Sequence, residues 1–423
     1  MRFCMITTFY PPYNFGGDGR FVQRLAHALA RRGHEVEVVH CTDAYRILAR
    51  REPAPAPPEP AGVTVHRLRS RLGPLSPLAT QQTGRPGLKA PALSRILARG
   101  FDVINYHNIS LIGGAGLLEL GDAIKLYTFH DYWLVCPTHV LFRDRRAACR
   151  EPHCLRCQLI YRRPPQLWRH GGALRRALAH VDRFIAASRA TAAEHSRLGL
   201  DLPVAYLPHF VPRLDGEREP ERAPGVGTAS GLADAARHVD ATARQADDYF
   251  LFVGRLEWLK GVQTLLPLFA RRPDLRLRIV GEGPAEQRLQ RLAAACANVE
   301  FLGRRDGAHL ARLYRGARAL LVPSLSPEVS PLVVLEALGL GTPVIARAIG
   351  SLNELVAERG AGLTFETLAE CEAALDRLQA DPGYRAALSE RGRAIWHREH
   401  TEEVYLQRYL ALIADLVRAR AGR

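Results

Sequence analysis

At 423 residues, 47% hydrophobic and 24% charged, the chain has the length and composition of a globular protein of two or three domains, with core enough for an enzyme. No stretch approaches the roughly 20 uninterrupted apolar residues of a membrane span, and the apolar run in "MRFCMITTFYPP" stops at a Pro pair too soon for a signal peptide. The formal net charge of +15 comes almost wholly from arginine, since Lys occurs only at Lys89, Lys125 and Lys260.

These bounds imply a cytoplasmic chain whose eight cysteines are reduced thiols or metal ligands rather than disulfides. The charge favours an anionic partner, either a phosphorylated substrate or an anionic lipid surface. A solvated surface in an Arg-biased genome explains it equally well. Nucleic acid is set aside, because no zinc-finger, RNA-recognition or basic-zipper pattern is present.

The chain opens as strand, loop, helix, strand: "RFCMITTF", then "DGRFVQRLAHALARRGHEVEVVHC". Phe21, Val22, Leu25, Ala28 and Leu29 recur at helical spacing, and Gly33 stops the helix before an alternating strand. Between the first strand and that helix lie Gly16, Gly17 and Gly19 in "NFGGDGR". Asp43 follows the second strand where a dinucleotide-binding fold would place a ribose-binding acid. The loop is long, carries Pro11 and Pro12 and lacks G-x-G-x-x-G, so close backbone approach to a phosphate or acceptor is preferred, with a positive-φ turn as the alternative.

A Pro-rich loop spans 51–62, and further strands are expected at "FDVINYHN", "AIKLYTFHD", "VDRFIAAS" and "PVAYLPHF". Arginine is densest at 142–178, which also holds a C-x12-C-x4-C-x2-C run of Cys136, Cys149, Cys154 and Cys157. That spacing is compatible with a structural zinc, unligated thiols being the alternative. Cys4, Cys41, Cys296 and Cys371 look like small core residues. Residues 213–247 contain few large apolar side chains and read as a partly mobile linker.

A second alternating series follows: "YFLFVGRL", "LRLRIVGEG", "VEFLGRR", "ALLVPS" and "PVIA". Arg255 and Lys260 sit in a turn bounded by Gly254 and Gly261, where two cations can converge on one anion. In "SPEVSPLVVLEALGLGTPVIA", Ser330 is expected as N-cap with Pro331 at the first helical position. The positive end of that helix suits a phosphate. Glu328 precedes the helix and Glu336 lies inside it, among apolar neighbours that oblige its carboxylate to find donors such as a sugar diol. A solvated Glu328 and a salt-bridged Glu336 are the plainer alternative. The fold class expected is α/β, two doubly wound domains facing a cleft, with "EEVYLQRYLALIADLVRAR" an amphipathic terminal helix.

The ordered set "PPYNFGGDGRFVQRLAHALARRGHEVEVV", "HDYWLVCP", "VGRLEWLKGV", "IVGEGP", "EVSPLVVLEALGLGTPVIA" and "GSLNELV" resembles the retaining glycosyltransferases of family 4, of GT-B architecture, over most of the chain. The resemblance implies an acceptor-binding Rossmann-like domain at 1–212, the linker at 213–247, a nucleotide-sugar-binding Rossmann-like domain at 248–395, and a C-terminal helix at 396–423 crossing back to the first. It implies a UDP- or GDP-linked sugar as donor and a glycan or lipid-linked acceptor.

By similarity, Glu328 contacts the transferred sugar, Glu336 the ribose, and Arg255 and Lys260 the diphosphate. Gly16, Gly17, Gly254, Ser330, Leu332 and Val333 line the donor site. "EVSP" replaces the Gly-rich loop of many relatives, and Pro331 removes one donor there. His130 is placed beside the anomeric carbon, and Asp131 orients its loop. No Asp-x-Asp arrangement is present for a metal-bound diphosphate, so magnesium is not expected. A nucleotide-sugar epimerase of the same fold and a catalytically silent scaffold are the alternatives.

Overall fold

The computed structural model of the chain describes residues 1–49, 52–55, 57–212, 214 and 249–422. Apart from Leu214, the expected linker at 213–247 lies outside the described residues. Two parallel sheets dominate the rest. The first has seven strands: β1 (Arg2–Ile6), β2 (Glu35–Cys41), β3 (Val63–Leu68), β4 (Val103–Tyr106), β5 (Ile124–Thr128), β6 (Arg183–Ala186) and β7 (Val204–Tyr206). Their order is β3-β2-β1-β4-β5-β6-β7. The second has six: β8 (Phe250–Val253), β9 (Leu277–Val280), β10 (Val299–Gly303), β11 (Leu320–Val322), β12 (Val344–Arg347) and β13 (Gly362–Phe365). Their order is β10-β9-β8-β11-β12-β13.

In both sheets the order reverses beside the first strand, and a crevice opens there at the carboxyl ends of the strands. β1 pairs with β2 and β4, and β8 with β9 and β11, so each reversal is fixed by parallel register such as Phe3 opposite both Val36 and Val103. Two strands carry too little pattern to be read from the sequence. β3 and β13 are sheet edges, and only Phe365 among their residues is fully buried, so neither has the apolar run of a central strand.

The helix Gly17–Arg31 covers the first sheet with Phe21, Val22, Leu25, Ala28 and Leu29, the expected stripe. Asp43, two residues past β2, is buried and accepts from the Ser70 N–H at 2.7 Å.

The helix Leu332–Leu340 is buried nearly all round and packs on the helix Pro382–Glu399, whose Trp396 lies against Gly339. Ile395 and Trp396 belong to the core of the second unit. The chain therefore leaves that unit at His400 and Thr401 rather than at 396. The helix Glu402–Ala421 then buries Tyr405, Leu406, Tyr409 and Ile413 in the first unit's core, where Tyr409 accepts from Asn105 at 3.0 Å. No helix among the described residues is long and apolar enough to cross a membrane.

Candidate active site between the two sheets

Lys260 is placed by backbone packing. Gly261 has φ +79°, and a Cβ there would stand 1.9 Å from the Pro323 carbonyl oxygen, so only glycine lets this loop lie on the one after β11. The Leu325 N–H, donating to the Leu259 carbonyl at 2.8 Å, ties the two loops together. In consequence Lys260 Nζ meets Glu328 Oε1 at 2.6 Å, and Ser324 Oγ donates to the same oxygen at 2.6 Å. Burial opposes ionisation of Glu328, but the Lys260 charge and these two hydrogen bonds outweigh it and hold its carboxyl below the usual range. Lys89 and Lys125 are buried on Ser76 and on the Leu118 carbonyl, which leaves Lys260 as the one lysine beside the crevice.

Arg255 stands at the end of β8, paired with Glu257 at 2.7 Å and lying over the Phe15 ring of the first unit at 5.5 Å. Glu336 is met from both units. Tyr314 donates to Oε2 at 3.2 Å, and Arg24, on the helix Gly17–Arg31, approaches Oε1 at 3.5 Å. Burial still raises the Glu336 carboxyl, with Arg24 countering it. Gly17 and Leu332 also come together across the crevice, since a Cβ on Gly17 would lie 3.0 Å from the Leu332 side chain. Gly16 is the residue before the first helix and Gly254 the one after β8.

The expected cap does not form. The helix begins at Leu332, preceded by Pro331 with ψ 96° and no side-chain capping bond, so Ser330 lies one residue outside the cap position. The cause lies one residue earlier. Val329 is buried in the first unit's core and its carbonyl accepts from Ser188 at 3.3 Å, which fixes the chain before the helix starts. The N–H groups of Leu332 and Val333 remain among the free donors of a helix start.

His130, just past the end of β5, is hydrogen-bonded to His107 at 2.9 Å, and its ring centroid is 5.0 Å from that of His209. Burial pushes the His130 imidazole down to about 4 against the opposing pull of Asp131, so it is neutral at pH 7. Asp131 accepts from Trp133 N–H at 2.8 Å, Asn108 at 3.2 Å and His139 at 2.8 Å, the bonding of a residue that orients a loop. Tyr132 OH reaches the Glu328 carbonyl at 3.4 Å and joins the His130 loop to the Glu328 loop.

Four participants carried no sequence signal. Arg24 is one arginine in an arginine-rich chain, while Asp18, Phe15 and Tyr314 have no distinctive spacing. Asp18 faces Asn108 at 3.4 Å, and burial raises its carboxyl.

Cys136, Cys149, Cys154 and Cys157 line one small pocket. Among the described residues no three His, Cys, Asp or Glu side chains are arranged to hold a metal ion, and the four are free thiols, the alternative to a structural zinc. Cys136 Sγ turns to Thr138 Oγ1 at 3.2 Å, and Cys149 Sγ to the Glu151 carbonyl at 3.7 Å.

Two Rossmann-like sheets facing a crevice, with a last helix returned to the first, constitute the GT-B class. The family described as Glycosyltransferase Family 4 matches residues 15–213, and that described as Glycosyl transferases group 1 matches 236–395. A D-inositol 3-phosphate glycosyltransferase of Nocardia farcinica is 30% identical over 96% of this chain and 87% of its own. Among solved structures, sucrose-phosphate synthase of Thermosynechococcus elongatus aligns with TM-score 0.73 at 21% identity, covering 99% of each chain. HepE of Anabaena, in complex with UDP, aligns with TM-score 0.64 at 17% identity over 98% of this chain and all of its own. The chain belongs to the group 1, family 4 glycosyltransferases and is a glycosyltransferase.

Proposed function

We propose that the chain transfers a hexosyl group, with retention of anomeric configuration and without a metal ion, from a UDP- or GDP-sugar to a glycan or lipid-linked acceptor in cell-surface polysaccharide or glycoconjugate synthesis, on the inner face of the membrane. The observation that carries this reading is the Lys260–Glu328 pair, locked by Gly261 beside Arg255 and joined through Tyr132 to the His130 loop. HepE has been solved with UDP and with UDP-glucose, which favours a uridine donor.

In this reading Arg255 and Lys260 meet the diphosphate, with the Leu332 and Val333 N–H groups beside them. Glu328 holds hydroxyls of the sugar. Glu336 takes the ribose diol, for which Arg24 makes room. As the bond from the anomeric carbon to the phosphate oxygen breaks, its electron pair leaves with the phosphate, and the two fixed cations meet the charge that develops. The acceptor oxygen attacks the oxocarbenium-like carbon from the same face, and the departing phosphate takes its proton. Neutral His130 positions the sugar rather than acting as an acid. Retention then needs no pair of carboxylates spanning the bond.

The test is the anomeric configuration of the first-formed product, read by proton NMR, with and without a chelator. The expected product keeps the donor's configuration, at a rate the chelator leaves unchanged. An inverted product, or a rate abolished by chelation, contradicts the reading.

A further inference from the structure

Two segments far apart in sequence lie side by side on the first unit, and each exposes leucines. The helix Leu75–Thr83 and the turn before it expose Leu72, Leu75 and Leu78. The helix Cys154–Ile160 and the turn Leu167–Gly171 expose Leu155, Leu159 at 64% and Leu167 at 66%. The segments are joined side by side. Trp168 Nε1 donates to the Gln81 carbonyl at 2.9 Å, Gln82 to the Pro164 carbonyl at 3.5 Å, and Gly84 packs directly on the Trp168 ring. Gln158 Oε1, accepting from the Gln166 N–H at 3.0 Å, binds the cysteine helix to the same turn.

A water-soluble chain seldom leaves this many leucines together in solvent unless something covers them. The charge around them says what does. Residues 66–89 contain no acid, and 142–178 contain ten arginines against Asp144 and Glu151. Arg145, Arg146, Arg150 and Arg162 are all exposed. Exposed leucines able to enter an acyl layer, on segments that also carry exposed guanidinium groups able to bind lipid phosphates, match an anionic bilayer.

The surface is also tied to the reaction crevice. Arg163 donates to the Thr138 carbonyl at 3.2 Å, and Arg169 to the Trp133 and Leu134 carbonyls at 2.8 and 3.2 Å, so it supports the loop that follows His130. We infer that this face, with Leu159 and Leu167 as its apolar residues and Arg145 and Arg146 among its cations, docks the protein on an anionic lipid bilayer and presents the His130 loop to an acceptor held there. It deepens the lipid-linked acceptor reading, but the binding itself does not depend on catalysis.

The test floats the full chain with vesicles of phosphatidylcholine alone and of phosphatidylcholine mixed with phosphatidylglycerol, at low and high salt. Two variants are compared with it, Leu159→Ser/Leu167→Ser and Arg145→Glu/Arg146→Glu. The expected result is binding to the anionic vesicles only, weakened by salt and reduced about tenfold or more in each variant, while the melting temperature and its response to UDP stay unchanged.

Equal binding to both vesicle types, no binding to either, or variants that bind like the parent would overturn the inference. So would a parent that is dimeric without vesicle binding and becomes monomeric in the leucine variant, which assigns the face to a second copy. A chain that floats but ignores nucleotides keeps the surface and loses the donor reading; the reverse outcome does the opposite.

Discussion

Glu328, Lys260 and Arg255 show how one residue's environment decides its chemistry. Glu328 is nearly enclosed, yet its partners keep it ionised, so protonation does not limit its function until the pH falls below the ordinary carboxylate range. Replacing Glu328 with Gln keeps the shape and removes the charge facing Lys260. Turnover is expected to fall about 100- to 1,000-fold, the scale of removing one positioned electrostatic group, while nucleotide affinity, measured by calorimetry, changes much less.

His130 carries the opposite kind of shift. Its folded value is depressed to about 4 from 6.5, so it binds a proton in the unfolded chain before it does in the folded one. Its contribution to stability is complete above pH 6.5 and is lost as the pH falls toward 4. His130→Gln should flatten the fall of melting temperature with pH across that window. At this scale the motif residues were legible because cations between glycines and a carboxylate in an apolar helix are unusual. Arg24 and Tyr314 were not, since a cross-crevice contact leaves no local pattern.

Among the elements, loops fix the crevice more than helices do. Gly261 allows the Lys260 loop to rest on Pro323, and Gly261→Ala forces a side chain into that carbonyl at positive φ. The strain alone is about 1–3 kcal/mol, and because the loop must lift, activity should drop further than the melting temperature suggests. The comparison to make is kcat alongside urea unfolding of the same variant.

The helix behind Glu328 was legible from its apolar run and terminal glycines, but its start was not. Ser330 has the right chemistry for a cap, and tertiary fixation of Val329 in the other unit overrides it. β3 and β13 escaped for a related reason, because edge strands bury too little to show a period.

The whole molecule depends on contacts made late in the chain. Tyr405, Leu406, Tyr409 and Ile413 complete the first unit's core from the last helix, so that unit is not finished until the C-terminus has returned. Tyr409→Phe leaves the Asn105 side-chain donor buried without its partner, which should cost about 1–3 kcal/mol in urea unfolding. Trp396→Ala opens a cavity between the helices Leu332–Leu340 and Pro382–Glu399, with an expected cost of about 3–5 kcal/mol. The two-sheet architecture was legible in the sequence because buried parallel strands are nearly continuous apolar runs. The point at which the chain changes units was not, since Trp396 reads equally well as part of either helix.

Binding of a nucleotide-diphosphate sugar to the second sheet through Arg255, Lys260 and Glu336 is best measured by thermal stabilisation with a panel of nucleoside diphosphates and their sugars. Ligand that binds only the folded chain raises its melting temperature by mass action. A selective rise is expected with UDP or GDP and their sugars, lost in Arg255→Ala and in Glu336→Ala. No response of the parent protein to any nucleotide, confirmed by calorimetry, would contradict it.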